Sequence, residues 1–222
     1  MKLLLTSGGV NNPSIRDALV GMLDRPIEEC TALCIPTAEW GHPRCTPASA
    51  WRFVSGRSPS AMCDLGWQSV GLLELTALPS IDAQRWVPWV RDADALLVDG
   101  GDAAYLCHWV RESGLADLLP SLTDTVWVGV SAGSMVMTPR IGADFVNWPT
   151  PGADDRTLGL VDFAIFPHVA DEGQPGNTMA EGEEWAADIG LPSYALDDQS
   201  AIRVVDGAVD VVSEGRWTQL TT

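Results

Sequence analysis

Lysine is nearly absent from this chain of 222 residues, because Lys2 is its single lysine. Lysine and arginine together supply 13 basic residues against 30 acidic ones, which gives a net charge of −17. A surface of this charge repels phosphate backbones and anionic membranes. We therefore expect no nucleic-acid partner and no membrane-surface partner.

Long hydrophobic runs are also missing. No stretch approaches the roughly 18 consecutive apolar residues that indicate a transmembrane helix. The N-terminal sequence MKLLLTSGG is too short for the apolar core of a signal peptide and predicts a first strand instead.

Histidine and cysteine are too few, and too irregularly spaced, to suggest a metal centre. The three histidines form no H-x-x-x-H pattern, and the five cysteines match no zinc or redox spacing. We expect no cofactor and no metal. An odd number of cysteines without a disulfide pattern is typical of a reduced, cytoplasmic protein.

The elements that are present alternate between strand and helix, which predicts one α/β domain over residues 1–222. Apolar runs predict strands at residues 3–6, 31–35, 67–75, 94–98 and 126–130. Helical periodicity predicts helices at residues 13–23, 47–63, 82–90, 103–112, 115–122 and 179–189, with loops at 37–46 and 138–157. Short strands at residues 192–196, 201–205 and 208–212 follow, the last two joined as a hairpin at Asp206-Gly207. We therefore expect a three-layer, mainly parallel sheet with helices on both faces.

The sequence VWVGVSAGSM at residues 126–135 is the strongest indication of a catalytic site. It combines a buried strand, a G-x-S-x-G turn and the start of a helix, which is the pattern of a nucleophile elbow. Such a turn exposes the hydroxyl of Ser131 at the edge of the sheet. The alternative interpretation is a structural glycine and serine turn.

A serine nucleophile needs a general base, and histidine is the usual one. His168 follows an apolar strand and is the favoured partner, because a parallel strand would place it on the same edge as Ser131. His42, in a predicted loop, and His108, inside a predicted helix, remain alternatives. Carboxylates that could orient the histidine are Asp144, Asp154, Asp155 and Asp162.

The oxyanion of an acyl-transfer reaction needs backbone N–H donors. Ala132 follows the predicted nucleophile and would supply the first donor. The turn Gly100-Gly101-Asp102 would supply the second, because glycine allows close approach of the backbone to a substrate. The alternative interpretation is an ordinary tight turn.

Together, five segments resemble the peptidase E family of aspartyl dipeptidases and the related cyanophycinases. They are LLLTSGG at residues 3–9, LVDGGD at 97–102, VGVSAGS at 128–134, LVDF at 160–163 and FPH at 166–168. The resemblance spans most of the chain. It implies a fold similar to that of class I glutamine amidotransferases. In this fold the nucleophile elbow would follow the fifth strand.

The resemblance also implies an activity and its residues. Ser131 would be the nucleophile and His168 the base of a serine exopeptidase or dipeptidase acting on small peptides. The aspartate of the family falls shortly after the nucleophile, which favours Asp144 as the third member. Gly100, Gly101, Asp102 and Ala132 would bind substrate or oxyanion.

Two departures from the family pattern concern the substrate. Asp102 stands where the family usually has asparagine. The family's substrate-binding arginine follows the histidine segment, where residues 169–184 contain acidic residues and no arginine or lysine. An acidic residue before the scissile bond would meet repulsion there, so we expect Asp-X peptides to be poor substrates.

Two rival functions remain at this point. An α/β-hydrolase-type esterase would share the order Ser, Asp, His. A non-catalytic amidotransferase-like binding domain would keep the elbow without the activity. A homodimer through an exposed edge strand is a further expectation.

Overall fold

A central sheet of seven strands organises the molecule in a computed structural model that describes residues 1–149, 154–170 and 177–220. The strands lie in the order β3-β2-β4-β5-β1-β8-β9. Their bounds are β1 Lys2–Thr6, β2 Thr31–Ile35, β3 Ser69–Leu72, β4 Ala95–Val98, β5 Val126–Val130, β8 Ser200–Val205 and β9 Ala208–Ser213. The five strands from β3 to β1 are parallel, and β8 and β9 add an antiparallel hairpin.

Helices cover both faces of this sheet, as the alternating sequence predicts. They are α1 Pro13–Leu23, α2 Thr37–Gly41, α3 Pro47–Val54, α4 Ala83–Arg91, α5 Ala103–Glu112, α6 Leu115–Leu118, α7 Ala132–Met135 and α8 Met179–Ile189. One apolar core joins α1 and α3 to the sheet through Leu19 and Phe53, and another joins α4 and α5 through Trp86 and Leu106. The α/β layering is confirmed.

A second, three-stranded sheet was not predicted. It contains β6 Ala164–Phe166, β7 Ser193–Leu196 and β10 Trp217–Leu220, in the order β10-β7-β6. Strands β6 and β7 are parallel and in direct register, so their carboxyl ends lie side by side. Helix α8 packs against this small sheet through Trp185 and Ile189.

Several predicted bounds are wrong. The expected loop at residues 37–46 begins with helix α2, the expected helix at 47–63 ends at Val54, and the strand expected at 67–75 covers only Ser69–Leu72. The long loop at 138–157 includes a 3-10 turn at Ala143–Phe145, and its residues 150–153 lie outside the described part. The predicted hairpin is confirmed, with positive φ at both Asp206 and Gly207, as a two-residue type I′ turn requires.

The junction between β5 and α7 forces close approach of three backbone segments. A Cβ on Gly129 would overlap the carbonyl of Gly133, and a Cβ on Gly133 would overlap the carbonyl of Val98. The indole of Trp127, which is fully buried, donates a hydrogen bond of 2.8 Å to the Gly133 carbonyl. The two glycines permit the tight turn, and the Trp127 bond holds it.

The edges of the large sheet are β3 and β9. Leu72, at the end of β3, is exposed, so the edge strand on which a homodimer could form is present. The homodimer itself stays a prediction. Within the described ranges, no helix is both long enough and apolar enough to cross a membrane.

The Trp127 hydrogen bond provides a test of how the turn is held. Trp127→Phe keeps most of the buried ring but leaves the Gly133 carbonyl without its donor. We expect the free energy of unfolding to fall by about 1–3 kcal/mol, measured by urea denaturation. Trp51→Phe is the control, because Trp51 is exposed and should change the stability little. Equal effects of the two substitutions would contradict this role of Trp127.

Candidate active site

Ser131 occupies the turn between β5 and α7 in a strained backbone conformation. Its φ is +52° and its ψ is −113°, a region that residues with a side chain rarely adopt. The Ser131 N–H donates to the carbonyl of Thr6 at 3.1 Å, and the hydroxyl of Ser134 donates to the same carbonyl at 2.8 Å. The end of β1 therefore holds both ends of the turn.

His168 meets Ser131 from the small sheet, two residues after the end of β6. Its Nε2 lies 2.8 Å from Ser131 Oγ. The prediction that the two side chains meet at strand ends is correct, but the assumption that both strands belong to one sheet is wrong. They meet because the end of the small sheet faces the end of β1, where the Ser7 hydroxyl accepts a hydrogen bond of 2.7 Å from the His168 N–H.

Asp198 is the carboxylate that contacts the histidine. Its Oδ1 lies 2.7 Å from His168 Nδ1 and also accepts a hydrogen bond of 3.0 Å from the Ser7 hydroxyl. Asp198 lies two residues after the end of β7, and His168 lies two residues after the end of the paired strand β6. The segment after β1 contributes again at Gly8, where a Cβ would lie only 2.6 Å from the Cβ of Asp198.

The expectation that Asp144 contacts His168 is wrong. Asp144 is exposed in the 3-10 turn at Ala143–Phe145 and makes no hydrogen bond with the histidine. The other candidates are also placed elsewhere: Asp154 pairs with Arg156, Asp155 pairs with Arg140, and Asp162 is exposed.

All of the predicted carboxylates lie between Ser131 and His168 in the chain, whereas Asp198 follows His168. A usable signal lay further along the chain, in the acidic pair Asp197-Asp198 directly after a predicted strand. The structure separates the two members of this pair. Asp197 Oδ1 accepts hydrogen bonds from Ser200 and Gln199 within the turn, whereas Asp198 reaches the histidine.

The pKa of Asp198 lies below its ordinary value. Burial by itself raises this pKa, but the hydrogen bond and charge of His168, together with the hydrogen bond from Ser7, outweigh the effect of burial. Asp198 is therefore a carboxylate at neutral pH and favours an N–H on the Nδ1 side of the ring. In that tautomer Nε2 is free to accept the proton of Ser131.

The other two histidines have different surroundings. His42 lies on the wall of the cavity in front of Ser131, where its Nδ1 accepts a hydrogen bond from the Arg44 N–H. His108 packs against the rings of Trp109 and Trp148. Neither histidine contacts Ser131, so the preference for His168 agrees with the geometry.

The glycine turn after β4 lies against Ser131, as expected. A Cβ on Gly100 would lie 3.4 Å from the Cβ of Ser131. The Gly100 N–H is already bonded to Asp99 Oδ1 at 2.8 Å. No hydrogen bond in the described part of the chain uses the N–H of Gly101 or of Ala132, the first residue of α7.

Asp102 has a different position from the one expected. It does not line the cavity with its neighbours Gly100 and Gly101. Its carboxylate caps α5 by accepting a hydrogen bond of 2.7 Å from the Tyr105 N–H, and it accepts a second, of 3.3 Å, from the Asn147 N–H. The expectation that Asp102 meets the substrate is therefore not supported by its contacts.

A cavity of about 540 Å³ opens in front of Ser131. The charged groups on its wall have both signs, Glu39 and Asp99 against Arg44 and Arg52. Such a volume suits a ligand the size of a short peptide. The described residues contain no group of three His, Cys, Asp or Glu side chains that could hold a metal ion.

The acidic segment after His168 does not line this cavity in its described part. Glu181 accepts hydrogen bonds from Thr178 at the start of α8, and Glu183 and Glu184 are exposed on the same helix. Asp171 and Glu172 lie outside the described residues. The repulsion expected for acidic substrates therefore has no support from the residues on which that expectation depended.

Comparison with known proteins shows the family of this chain. Residues 3–212 match the family model described as peptidase family S51. A peptidase E from Shewanella putrefaciens (strain CN-32 / ATCC BAA-453) is 31% identical over 143 residues, which is 61% of this chain and 60% of the relative. The match thus spans less than two thirds of that relative's length.

Two solved structures share the fold. A candidate peptidase E from Listeria monocytogenes EGD-e superposes with a TM-score of 0.70 at 18% identity, over 96% of this chain and 98% of that one. A peptidase from an acI-B1 Actinobacterium superposes with a TM-score of 0.65 at 17% identity, over 99% of this chain and 90% of that one. Because the family model covers nearly the whole chain, the protein belongs to peptidase family S51.

Proposed function

We propose that this protein is a serine peptidase that hydrolyses short peptides. The observation that carries the proposal is the continuous chain of hydrogen bonds from Ser131 Oγ through His168 to Asp198. Membership of peptidase family S51 and the 31% identical peptidase E support peptides as the substrates. The resemblance noted from the sequence motifs points to the same class of reaction.

In the proposed mechanism Ser131 Oγ attacks the carbonyl carbon of the scissile peptide bond. His168 Nε2 takes the hydroxyl proton and later gives it to the leaving amine. The acyl-enzyme that forms on Ser131 is then hydrolysed by water, with His168 acting again as the base. Asp198 orients the imidazole and stabilises its charged form.

Two backbone N–H groups would stabilise the oxyanion. Ala132 N–H lies at the start of α7, directly after the nucleophile, and Gly101 N–H lies in the turn against Ser131. Both are free of other hydrogen bonds within the described chain, whereas the Gly100 N–H is held by Asp99. We therefore assign the oxyanion hole to Gly101 and Ala132, with Gly100 allowing close approach to Ser131.

Ser7 is a positioning residue in this proposal. Its hydroxyl accepts from the His168 backbone and donates to Asp198, so a single side chain fixes the base and its carboxylate relative to each other. We also propose a cytoplasmic location, which the five free cysteines support.

Ser131→Ala tests the nucleophile. We expect hydrolysis of peptides and labelling by a fluorophosphonate both to be lost. The unfolding free energy should stay within about 1 kcal/mol of the parent, since among the described residues the one side-chain hydrogen bond removed is that to His168. The measurements are product formation by mass spectrometry, covalent labelling and thermal unfolding. A parent protein that is folded but not labelled would refute the enzyme and favour a non-catalytic binding domain.

Asp198→Asn tests the carboxylate, and Asp144→Asn is its matched control. We expect Asp198→Asn to lower kcat by about 10⁴-fold, because the amide no longer favours the required tautomer of His168. Asp144→Asn should leave kcat unchanged, because Asp144 is exposed and has no contact with the histidine. Steady-state kinetics on one peptide substrate measure both. The reverse pattern would restore Asp144 as the third member.

Comparing peptide and ester substrates distinguishes a peptidase from an esterase. A peptidase of this family should turn over a dipeptide at a rate comparable with, or above, that of an activated alkyl ester. Rapid ester hydrolysis without any cleavage in a dipeptide library would favour the esterase. The same library measures Asp-X peptides against neutral ones and so decides the side-chain preference.

A further inference from the structure

One buried carboxylate beside Ser131 has no role in the mechanism above. Asp99 follows the end of β4 and directly precedes the turn that lies against Ser131. Asp99 is only 8% exposed, yet it lies on the wall of the cavity in front of Ser131. A carboxylate so deeply buried is costly unless something compensates it.

The hydrogen bonds of Asp99 fix the carboxylate and leave half of it free. Oδ1 accepts the Gly100 N–H at 2.8 Å, which holds the group against the turn. Oδ2 makes no hydrogen bond with the described residues. It is also not one of the polar atoms that are both inaccessible to solvent and without a hydrogen-bond partner in the described part. The free oxygen is therefore open to the cavity.

No cation of the described chain pairs with Asp99. Its neighbours are the acidic Glu39 and the thiol of Cys34, and burial and these groups raise the pKa of Asp99 well above its ordinary value, against the effect of the Gly100 N–H. Burial raises the pKa of Glu39 above its ordinary value, and the charges of His42 and Arg52 offset only part of this rise. Arg44 also lines the cavity but forms no ion pair with Asp99.

The position of Asp99 selects one kind of cation. In a peptide whose first residue is cleaved off, the α-ammonium nitrogen lies only about 2.5 Å from the carbonyl carbon that Ser131 attacks, since two bonds separate them. Asp99 is one residue from Gly100, which touches Ser131. A lysine or arginine side chain of the substrate would carry its charge several bonds further away.

We propose that Asp99 binds the free α-ammonium group of the residue whose carbonyl Ser131 attacks. The substrates would then be peptides with an unblocked N-terminus, cut after their first residue. This inference rests on the proposed peptidase function and adds to it the residue that recognises the free N-terminus of such a substrate.

The first experiment compares a free peptide with its blocked form. Alanyl-leucine and N-acetyl-alanyl-leucine, together with the same pair for each member of the dipeptide library, are tested as substrates. We expect kcat/KM for the free form to exceed that for the acetylated form by about thirtyfold or more, which corresponds to loss of a buried charge pair. Equal cleavage of the two forms would overturn the proposal.

The second experiment changes Asp99 itself. Asp99→Asn keeps an oxygen for the Gly100 N–H and removes the charge. We expect it to lower kcat/KM for the free peptide by about thirtyfold while leaving the acetylated peptide unchanged. Asp17→Asn is the matched control, because Asp17 is exposed on α1, away from the cavity. An equal loss for both peptides would indicate a structural role and overturn the proposal.

Thermal unfolding shows whether Asp99→Asn is merely destabilising. Because the folded pKa of Asp99 is raised, the folded state holds a proton that the unfolded state releases above about pH 3.9. The free energy of unfolding therefore falls as the pH rises above about 3.9, until Asp99 ionises in the folded protein as well. We expect Asp99→Asn to raise Tm at pH 7 relative to the parent and to change it least below pH 3.9.

Binding to Ser131→Ala provides a readout that does not require turnover. Calorimetry should detect the free dipeptides and not the acetylated ones, and affinity should fall as pH rises through the α-ammonium pKa of about 8. Fluorophosphonate labelling of the parent distinguishes the peptidase proposal from the role proposed for Asp99. Labelling without any preference for free N-termini refutes this inference alone, whereas absence of labelling refutes the proposed function.

Discussion

The carboxyl end of strand β1 is the point on which the site depends. Thr6 accepts hydrogen bonds from Ser131 and Ser134 through its carbonyl, and its hydroxyl donates to the Gly129 carbonyl. The next residue, Ser7, joins His168 to Asp198. The two sheets also share an apolar core through Ile165 and Leu196, and Thr6 and Ser7 add the polar contacts between the groups of the site. This contact fixes the segments that carry the histidine and the aspartate relative to the serine.

The site concentrates unfavourable features, and the surrounding structure stabilises them. Ser131 has a backbone conformation that costs about 1–3 kcal/mol, and Asp99 is a buried carboxylate with no cation beside it among the described residues. Both lie at the ends of fully buried central strands, β5 and β4. Rigid neighbours on both sides allow such a site to persist, and in the proposed mechanism the same rigidity would hold the reacting groups in position before a substrate arrives.

Charge is divided unevenly over this site. Asp198 has its pKa lowered because His168 and Ser7 both bond to it, whereas Asp99 has its pKa raised because burial and Glu39 disfavour its charged form. Two aspartates near one serine therefore differ in what they are able to do. The first is matched to an imidazole within the protein, and for the second we propose a match by a group that comes with the substrate.

Local patterns in the sequence determined the layered fold and the two residues at the centre of the proposed site. Buried strands, tight glycine turns and helix starts are encoded within about ten residues, so Ser131, the turn at Gly100 and the histidine after an apolar strand could all be predicted. The tertiary structure alone decided which carboxylate completes the site. The small sheet depends on pairing between strands β6 and β7, whose residues lie far apart in the chain, and no local pattern reports that pairing. The tertiary structure also decided that Asp102 caps a helix while Asp99 faces the cavity. The direction of a side chain at a turn is set by the segments packed around it.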